Sequence, residues 1–280
     1  MRSGLTESIH DAVAIAIDAD GTVLYESGEV DFPFFYRSAI KPLQAAAAAR
    51  TGLRLPPEHL AVTCASHGGF PVHLAIVEQI LADHGLDPSD LKNTPDLPLA
   101  DEAKKIQALA HRLTKRSLFH NCSGKHAGWL AACTVAGWDT ETYLEPDHPL
   151  QQSIAELIAD ATEADPLPVG VDGCGAPTFR GTVRSLAKGF SRLSTDGEFA
   201  RIAEAVDRFM SLVADNTWPD GVRGVTWPGP SKAGAEGCIA LSRHGVAIAT
   251  KSLAGNGAIA AAAATEVAAE LGLLPESTLD

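Results

Sequence analysis

The 280-residue chain is expected to fold as an α/β protein of the α+β kind, a mainly antiparallel sheet flanked by helices and interrupted by a long helical region. Three observations carry this expectation. Strand-like apolar runs lie near both ends of the sequence. The stretch between them has helical composition broken by short polar segments. The last residues before the carboxyl end read as one alanine-rich helix. A hydrophobic fraction of 45% with 20% charged residues fits a folded chain with a sizeable core and excludes a disordered one. We read residues 1–280 as one catalytic domain, with a sheet region over about 8–37 and 216–280 and a mostly helical region over about 38–215.

The elements follow in order. VAIAID, the turn signal Asp18-Ala19-Asp20-Gly21 and TVLYESG predict a hairpin over Ala12 to Tyr25. An aromatic stretch, Phe32 to Tyr36, leads to Arg37-Ser38, after which AIKPLQAAAAAR predicts a helix ending before Thr51-Gly52. Pro42 is compatible with that helix only in its first turn, where a missing amide donor costs little. Ser38 is therefore expected at the helix amino terminus. From 53 to 215 the pattern is mostly helical, with breaks at Asp87-Pro88, Asn93 to Leu97 and Pro146 to Pro149. Within it TCASHGG, HNCSGKHAG and GVDGCGAP are loops or helix starts dense in reactive residue types. GCIALS and VAIATKSL return the chain to strands, and Gly257 to Leu271 reads as the final helix. This order matches the serine beta-lactamase and penicillin-binding-protein architecture, and fold alone does not give a substrate.

Bulk properties exclude several function classes. A formal net charge of -13 disfavours a nucleic-acid binder, and the small basic cluster of Lys104, Lys105, Arg112, Lys115 and Arg116 reads as a solvated helix face. The alanine-rich apolar runs are too short to span a membrane, and MRSGLTESIH carries no secretory signal, so a cytoplasmic protein is expected. Five cysteines at irregular spacing do not form a disulfide framework.

The chemistry-bearing pattern is Ser38-Ala39-Ile40-Lys41 with the distant Lys232-Ala233-Gly234. Two further Ser-x-x-Lys matches exist. Ser89 with Lys92 follows Asp87-Pro88, where Ser89 is expected to cap a surface helix, and Ser185 with Lys188 fits the polar face of a helix through VRSLAKGF. Residues three apart on a helix share a face, so the Lys41 amine can approach the Ser38 hydroxyl. Unbonded amides at the helix start stabilise a developing oxyanion nearby, while the same field, with Arg37 beside it, favours a neutral amine at Lys41 that takes the serine proton. Lys232 enters a strand against the nucleophile, and Ser66, flanked by glycines, is the expected partner that completes a proton path to the leaving group. The plain alternatives are a solvated pair at Ser38-Lys41 and a turn-satisfying hydroxyl at Ser66.

Cys122, Lys125 and His126 lie within five residues, and Cys174 sits in DGCG. Two thiolates with a nitrogen donor suit zinc, and burial as small hydrophobes is the alternative. Cys64, Cys133 and Cys238 read as structural. A Cys64 nucleophile with His67 or His73 as base would leave Ser38 and Lys232 unexplained.

Taken together, YRSAIKPLQ, TCASHGG, HNCSGKHAG, YLEPDHPLQ, GVDGCGAPTF and KAGAEG resemble the L-asparaginase II family, the rhizobial-type class, over roughly residues 8 to 272. That resemblance implies an amidohydrolase converting L-asparagine to L-aspartate and ammonia, on a beta-lactamase-like fold and as a homodimer. It implies two Ser-Lys tandems, Ser38 with Lys41 and Ser66 with Lys232, a zinc held by Cys122, Lys125 and Cys174, and further active-site positions at Arg37 and Asp172. Arg37 would hold the substrate carboxylate and Asp172 its ammonium or a metal-linked network. The chain departs from the family at Ala233, where threonine is usual, at NTPDLP, which replaces a Cys-Gly step, through Met210 to Trp227, and at LAGNGAIAAAA. Two other readings stand beside it: an esterase, amidase or beta-lactamase using the same tandem, and a catalytically silent zinc-binding protein.

Overall fold

A computed structural model describes residue 3 and residues 5–110, 113–214 and 229–274. The expected hairpin is present as β1 (Ala12–Ile17) and β2 (Val23–Ser27). β3 (Phe34–Phe35) and a 3-10 turn, Arg37–Ile40, lead directly into α1 (Lys41–Arg50), whose Pro42 lies in the first turn as its missing donor requires. Then come α2 (Pro57–Cys64), α3 (Pro71–Ala82), α4 (Asp101–Leu109), α5 (Ser123–Ala136) and α6 (Pro149–Thr162). β4 (Gly170–Val171), β5 (Pro177–Thr178) and β6 (Arg180–Gly181) precede α7 (Val183–Thr195), α8 (Ala200–Arg208) and α9 (Met210–Val213). β7 (Ser231–Gly234), β8 (Cys238–Arg243), β9 (Val246–Ser252) and α10 (Gly257–Glu270) complete the described chain.

Five strands form one antiparallel sheet in the order β2-β1-β9-β8-β7, with Ala12 opposite Ser252 and Lys232 opposite Ala240. Strand period explains the two layers around it. On β1, Ala14 and Ala16 point to α10, where they pack with Ile239, Leu241 and Ile248 against Ala260, Ala264 and Val267. Val13, Ile15 and Ile17 point to the other face and join the main core with Leu186 and Phe190 of α7. Small alanines on both partners let α10 lie close to the sheet, and Asn256 caps it by accepting from the Ala258 and Ile259 amides.

Several expectations are corrected. The region read as mostly helical also holds short strands: β4 pairs with β5 in a local hairpin, and β6 pairs with β3, which precedes that region and lies far from β6 in sequence. Ser89 caps no helix; its amide bonds to the Asp87 carboxylate in a turn. Ser185 is buried rather than on a polar face: it closes a capping box with Thr182 and its hydroxyl meets the Tyr36 hydroxyl at 2.7 Å. The basic segment is helical only to Leu109, and Arg116 instead bridges to Asp96. Arg112 and most of the divergent stretch from Met210 to Trp227 lie outside the described residues, as do 216–228 of the expected sheet region. No helix among the described residues is long and apolar enough to cross a membrane.

Candidate active site

The 3-10 turn before α1 sets the geometry of the site. Arg37 adopts a left-handed φ of 50°, a conformation that non-glycine residues rarely take and that clusters at functional positions. Its guanidinium meets Asp172, which β4 and the following turn present, with Nε to Oδ1 at 2.7 Å. Ser38, the next residue, is 9% exposed and lines a cavity of about 350 Å3 together with Arg37, Asp172, Cys122, Cys174 and Ala235. The backbone amides of Ser38 and Ala235 make no hydrogen bond among the described residues.

Ser66 follows the end of α2, and its hydroxyl lies between two buried amines. Lys41 Nζ is 3.2 Å and Lys232 Nζ 3.1 Å from Ser66 Oγ. Lys41 also donates to the Ala65 carbonyl, and Lys232 to the Ala233 carbonyl at 2.6 Å. The geometry therefore differs from the expected pairing: the Lys41 amine reaches across to Ser66, while the Ser38 side chain makes no hydrogen bond among the described residues. Burial is the first cause that pushes Lys232 down to about 7, the positive charge of Lys41 the second. The neutral amine that the sequence placed at Lys41 is thus favoured at Lys232.

Gly234 explains why a glycine follows Lys232 by two positions. A Cβ there would sit 2.7 Å from the Tyr36 carbonyl oxygen and 2.9 Å from the Ala39 amide nitrogen. Only a bare backbone lets β7 lie against the Arg37–Ile40 turn, and that approach brings Lys232 to Ser66. Ala233 lies between them and leaves the strand register intact.

The same device joins α2 to α5. A Cβ on Gly124 would be 2.4 Å from the Val62 carbonyl oxygen, and one on Gly128 would be 2.6 Å from Thr63 Cγ2. The two helices cross almost backbone to backbone, which fixes Ser66 relative to Cys122 and Lys125. Lys125 Nζ lies 3.3 Å from Cys174 Sγ and 4.4 Å above the Trp129 ring. The Cys122 thiol is lowered well below its usual value, first by its hydrogen bond with Cys174, so the pair favours a shared thiolate over two thiols. Burial opposes the Lys125 ammonium, but charge on Cys174 and Cys122 outweighs it and raises the pKa. His126, a nitrogen donor considered from sequence, turns away and bonds Tyr143 at 2.9 Å. Among the described residues no group of three His, Cys, Asp or Glu converges on a metal position. Two soft sulfurs and an amine converge at Cys122, Cys174 and Lys125, and that donor set fits zinc.

A family model described as L-asparaginase II matches residues 1–280. The chain belongs to the L-asparaginase II family. Membership supports an amidohydrolase acting on a small-molecule amide. A comparison with curated proteins returned no significant match. Among solved structures, a beta-lactamase from Mycobacterium bovis aligns at a TM-score of 0.50 and 18% identity, covering 92% of this chain and 94% of its own. Mglu in its native form aligns at 0.50 and 15%, over 96% of this chain and 61% of the other. A Bacillus subtilis glutaminase in covalent complex with 5-oxo-L-norleucine aligns at 0.43 and 14%, over 96% and 89%. The beta-lactamase-like fold expected from element order is thereby shown, with antiparallel sheet and flanking helices as described.

The L-asparaginase II chain also gives site roles that sequence reading did not assign, to His67, weighed there only as a base for Cys64, and to the NTPDLP segment. His67 bonds Ser123 at 3.0 Å and stacks on His73, tying the Ser66 loop to the start of α5. Burial first, and His73 second, hold its imidazole well below the usual value, so it is a neutral strut. The NTPDLP segment, noted only as a departure from the family, forms a cavity wall through Asp96, Leu97 and Pro98. Its place in a surface-like polar run gave no periodic signal. Cys64, beside Ser66, is pushed up to about 12 by burial, which keeps it a thiol and removes it as a nucleophile.

Proposed function

We propose that the protein hydrolyses the side-chain amide of L-asparagine to L-aspartate and ammonia through a Ser-Lys acyl-enzyme. The observation that carries this reading is the Ser66 hydroxyl held 3.2 and 3.1 Å from two buried lysine amines, beside a cavity that Ser38 faces. Family membership supports asparagine as the amide. Ser38 Oγ attacks the amide carbon while its proton leaves through Lys41 and Ser66 towards the neutral Lys232. The free Ser38 and Ala235 amides are placed to donate to the oxyanion. As the carbon–nitrogen bond breaks, the relay returns a proton to the leaving nitrogen and ammonia departs. Water then attacks the ester, its proton reprotonates Ser38, and aspartate leaves.

Arg37 and Asp172 compete for each other in the structure, so the substrate's carboxylate and ammonium would divide that pair between them. Cys122, Lys125 and Cys174 would hold a zinc at the cavity wall. Bound there, it supplies Lewis-acidic charge that anchors a polar substrate group. The resemblance of the chain's motifs to the family supports a homodimer.

The test is ammonia release from L-asparagine, with L-glutamine in parallel. Turnover of asparagine that vanishes in Ser38→Ala and in Ser66→Ala is the expected result. Full activity in Ser38→Ala would remove it as the nucleophile, and no release from either amide by the native protein would overturn the reading.

A further inference from the structure

The turn before α5 carries one cavity-lining side chain that the proposed reaction does not use. His120 borders the catalytic cavity together with Ser38, Arg37 and Asp172, and it is 9% exposed. Its backbone is pinned from several sides. The His120 amide donates to the Ser117 carbonyl at 3.3 Å, its carbonyl accepts from the Ser123 amide at 2.9 Å, and the Asn121 carbonyl accepts from the His67 amide at 3.1 Å. A ring on so fixed a backbone presents the same group to the cavity before and after a ligand arrives.

One hydrogen bond assigns the tautomer. The Cys122 amide donates to His120 Nδ1 at 3.0 Å, which leaves that nitrogen without a proton and puts the ring proton on Nε2. Among the described residues Nε2 makes no hydrogen bond, and it is not one of the side-chain nitrogens sealed from solvent. The ring lines the catalytic cavity, so an N–H donor without a partner faces that space. The charged donors of the same lining are engaged. Arg37 meets Asp172 Oδ1 through Nε at 2.7 Å and through a terminal nitrogen at 2.6 Å, and Lys104 meets Asp101 at 2.9 Å.

The chemistry of the ligand decides what such a donor takes. The carboxamide oxygen of asparagine belongs at the Ser38 and Ala235 amides, the carboxamide nitrogen is no acceptor, and the ammonium only donates. The α-carboxylate is the acceptor that remains. We propose that His120 is a substrate-binding residue: its Nε2–H donates to the α-carboxylate of L-asparagine, which it shares with Arg37, and so enforces a free α-carboxylate on the substrate. This inference rests on asparagine as the substrate. A hydrogen bond to an ionised acceptor is of the strong kind, so its loss is measurable.

The test titrates L-aspartate, the product, calorimetrically into the native protein, His120→Asn and His120→Gln. His120→Asn keeps an oxygen for the Cys122 amide but no donor that reaches the Nε2 position, whereas His120→Gln carries its amide to that reach. Affinity for L-aspartate should fall about tenfold or more in His120→Asn and stay within about threefold of native in His120→Gln. β-Alanine, which is aspartate without its α-carboxylate, should bind the native protein and His120→Asn alike. In turnover, His120→Asn should raise KM for L-asparagine more than it lowers kcat. Zinc content of the same preparations should not differ. Thermal melts identify a variant that fails to fold, and nitrogen NMR of the native histidine side chains, in which an Nε2-protonated ring shifts on addition of L-aspartate, stands without the variants. Unchanged aspartate affinity in His120→Asn, an equal loss in His120→Gln or for β-alanine, zinc lost together with affinity, or no ring that responds to aspartate would overturn the proposal and leave asparagine as the substrate. A native protein that neither binds L-aspartate nor releases ammonia from asparagine would remove the substrate reading and this inference with it.

Discussion

Replacing Lys232 with methionine should abolish turnover and stabilise the fold at neutral pH. Lys232 is 3% exposed and held at about 7 instead of 10.5, chiefly by burial. At about 1.4 kcal/mol per pH unit, the unfolded chain binds this proton more tightly than the folded one by roughly 5 kcal/mol. Methionine has similar length and no proton to hold, so it removes that penalty. It also removes the hydrogen bonds to Ser66 Oγ and the Ala233 carbonyl, at about 1–1.5 kcal/mol each. The net expectation is about 2 kcal/mol of added stability at pH 7, a rise in Tm of several degrees. The sign of the pH dependence follows from proton counts. Between about 7 and 10.5 the unfolded chain keeps the Lys232 proton and the folded chain has lost it, so native stability climbs with pH across that window. The variant lacks the climb. Parallel urea melts at pH 7 and pH 10 should show its advantage shrinking and then reversing. A variant less stable than the native protein at pH 7, or an advantage unchanged between the two pH values, would show that Lys232 is not a depressed, buried amine.

The Gly234→Ala variant should lose about 1–3 kcal/mol, because its Cβ must push β7 away from the Tyr36 carbonyl and the Ala39 amide, and its turnover should fall as Lys232 moves from Ser66; thermal melts with ammonia assays read both effects. Arg37→Ala should raise KM for asparagine well above its effect on kcat if the guanidinium binds the substrate carboxylate, a split that steady-state kinetics resolves. Cys122→Ser and Cys174→Ser should each lose zinc measured by elemental analysis of the purified protein, and equal zinc content in both variants and the native chain would exclude these sulfurs as ligands.

Local chemistry explains which parts of this arrangement were legible before any coordinates. The Asp18-to-Gly21 turn between two apolar runs and Pro42 in a first turn are signals complete within a few residues, and both elements formed where expected. Ser38, Ser66 and Lys232 were readable as a group because each sits in a short motif at an element's edge. Their pairing was not. Lys41 is three residues from Ser38 but its long side chain crosses to Ser66, a choice made by the close crossing of α2 and α5 through Gly124 and Gly128. Two-residue strands such as β3 and β6 leave no periodicity to detect, since their residues pair across more than half the chain. Ser185 misled for a related reason: a hydroxyl on a helix start reads as exposed until Tyr36 arrives from elsewhere to bury it.

The position of β1 between β2 and β9 governs how this protein is born. Ala12 pairs with Ser252, so the first strand to be completed after synthesis starts waits for one of the last before it gains its other neighbour. Ribosomes release Lys41 and Ser66 long before Lys232, and β7 reaches them only when β8 and β9 close onto the early hairpin. Pairing across so many residues is entropically slow. Until it occurs, β1 offers an open edge to neighbouring nascent chains, the situation in which chaperones matter most. The same delay has a protective side: Lys41, Ser66 and Lys232 meet only in the finished molecule, so a half-made chain lacks the proposed proton relay.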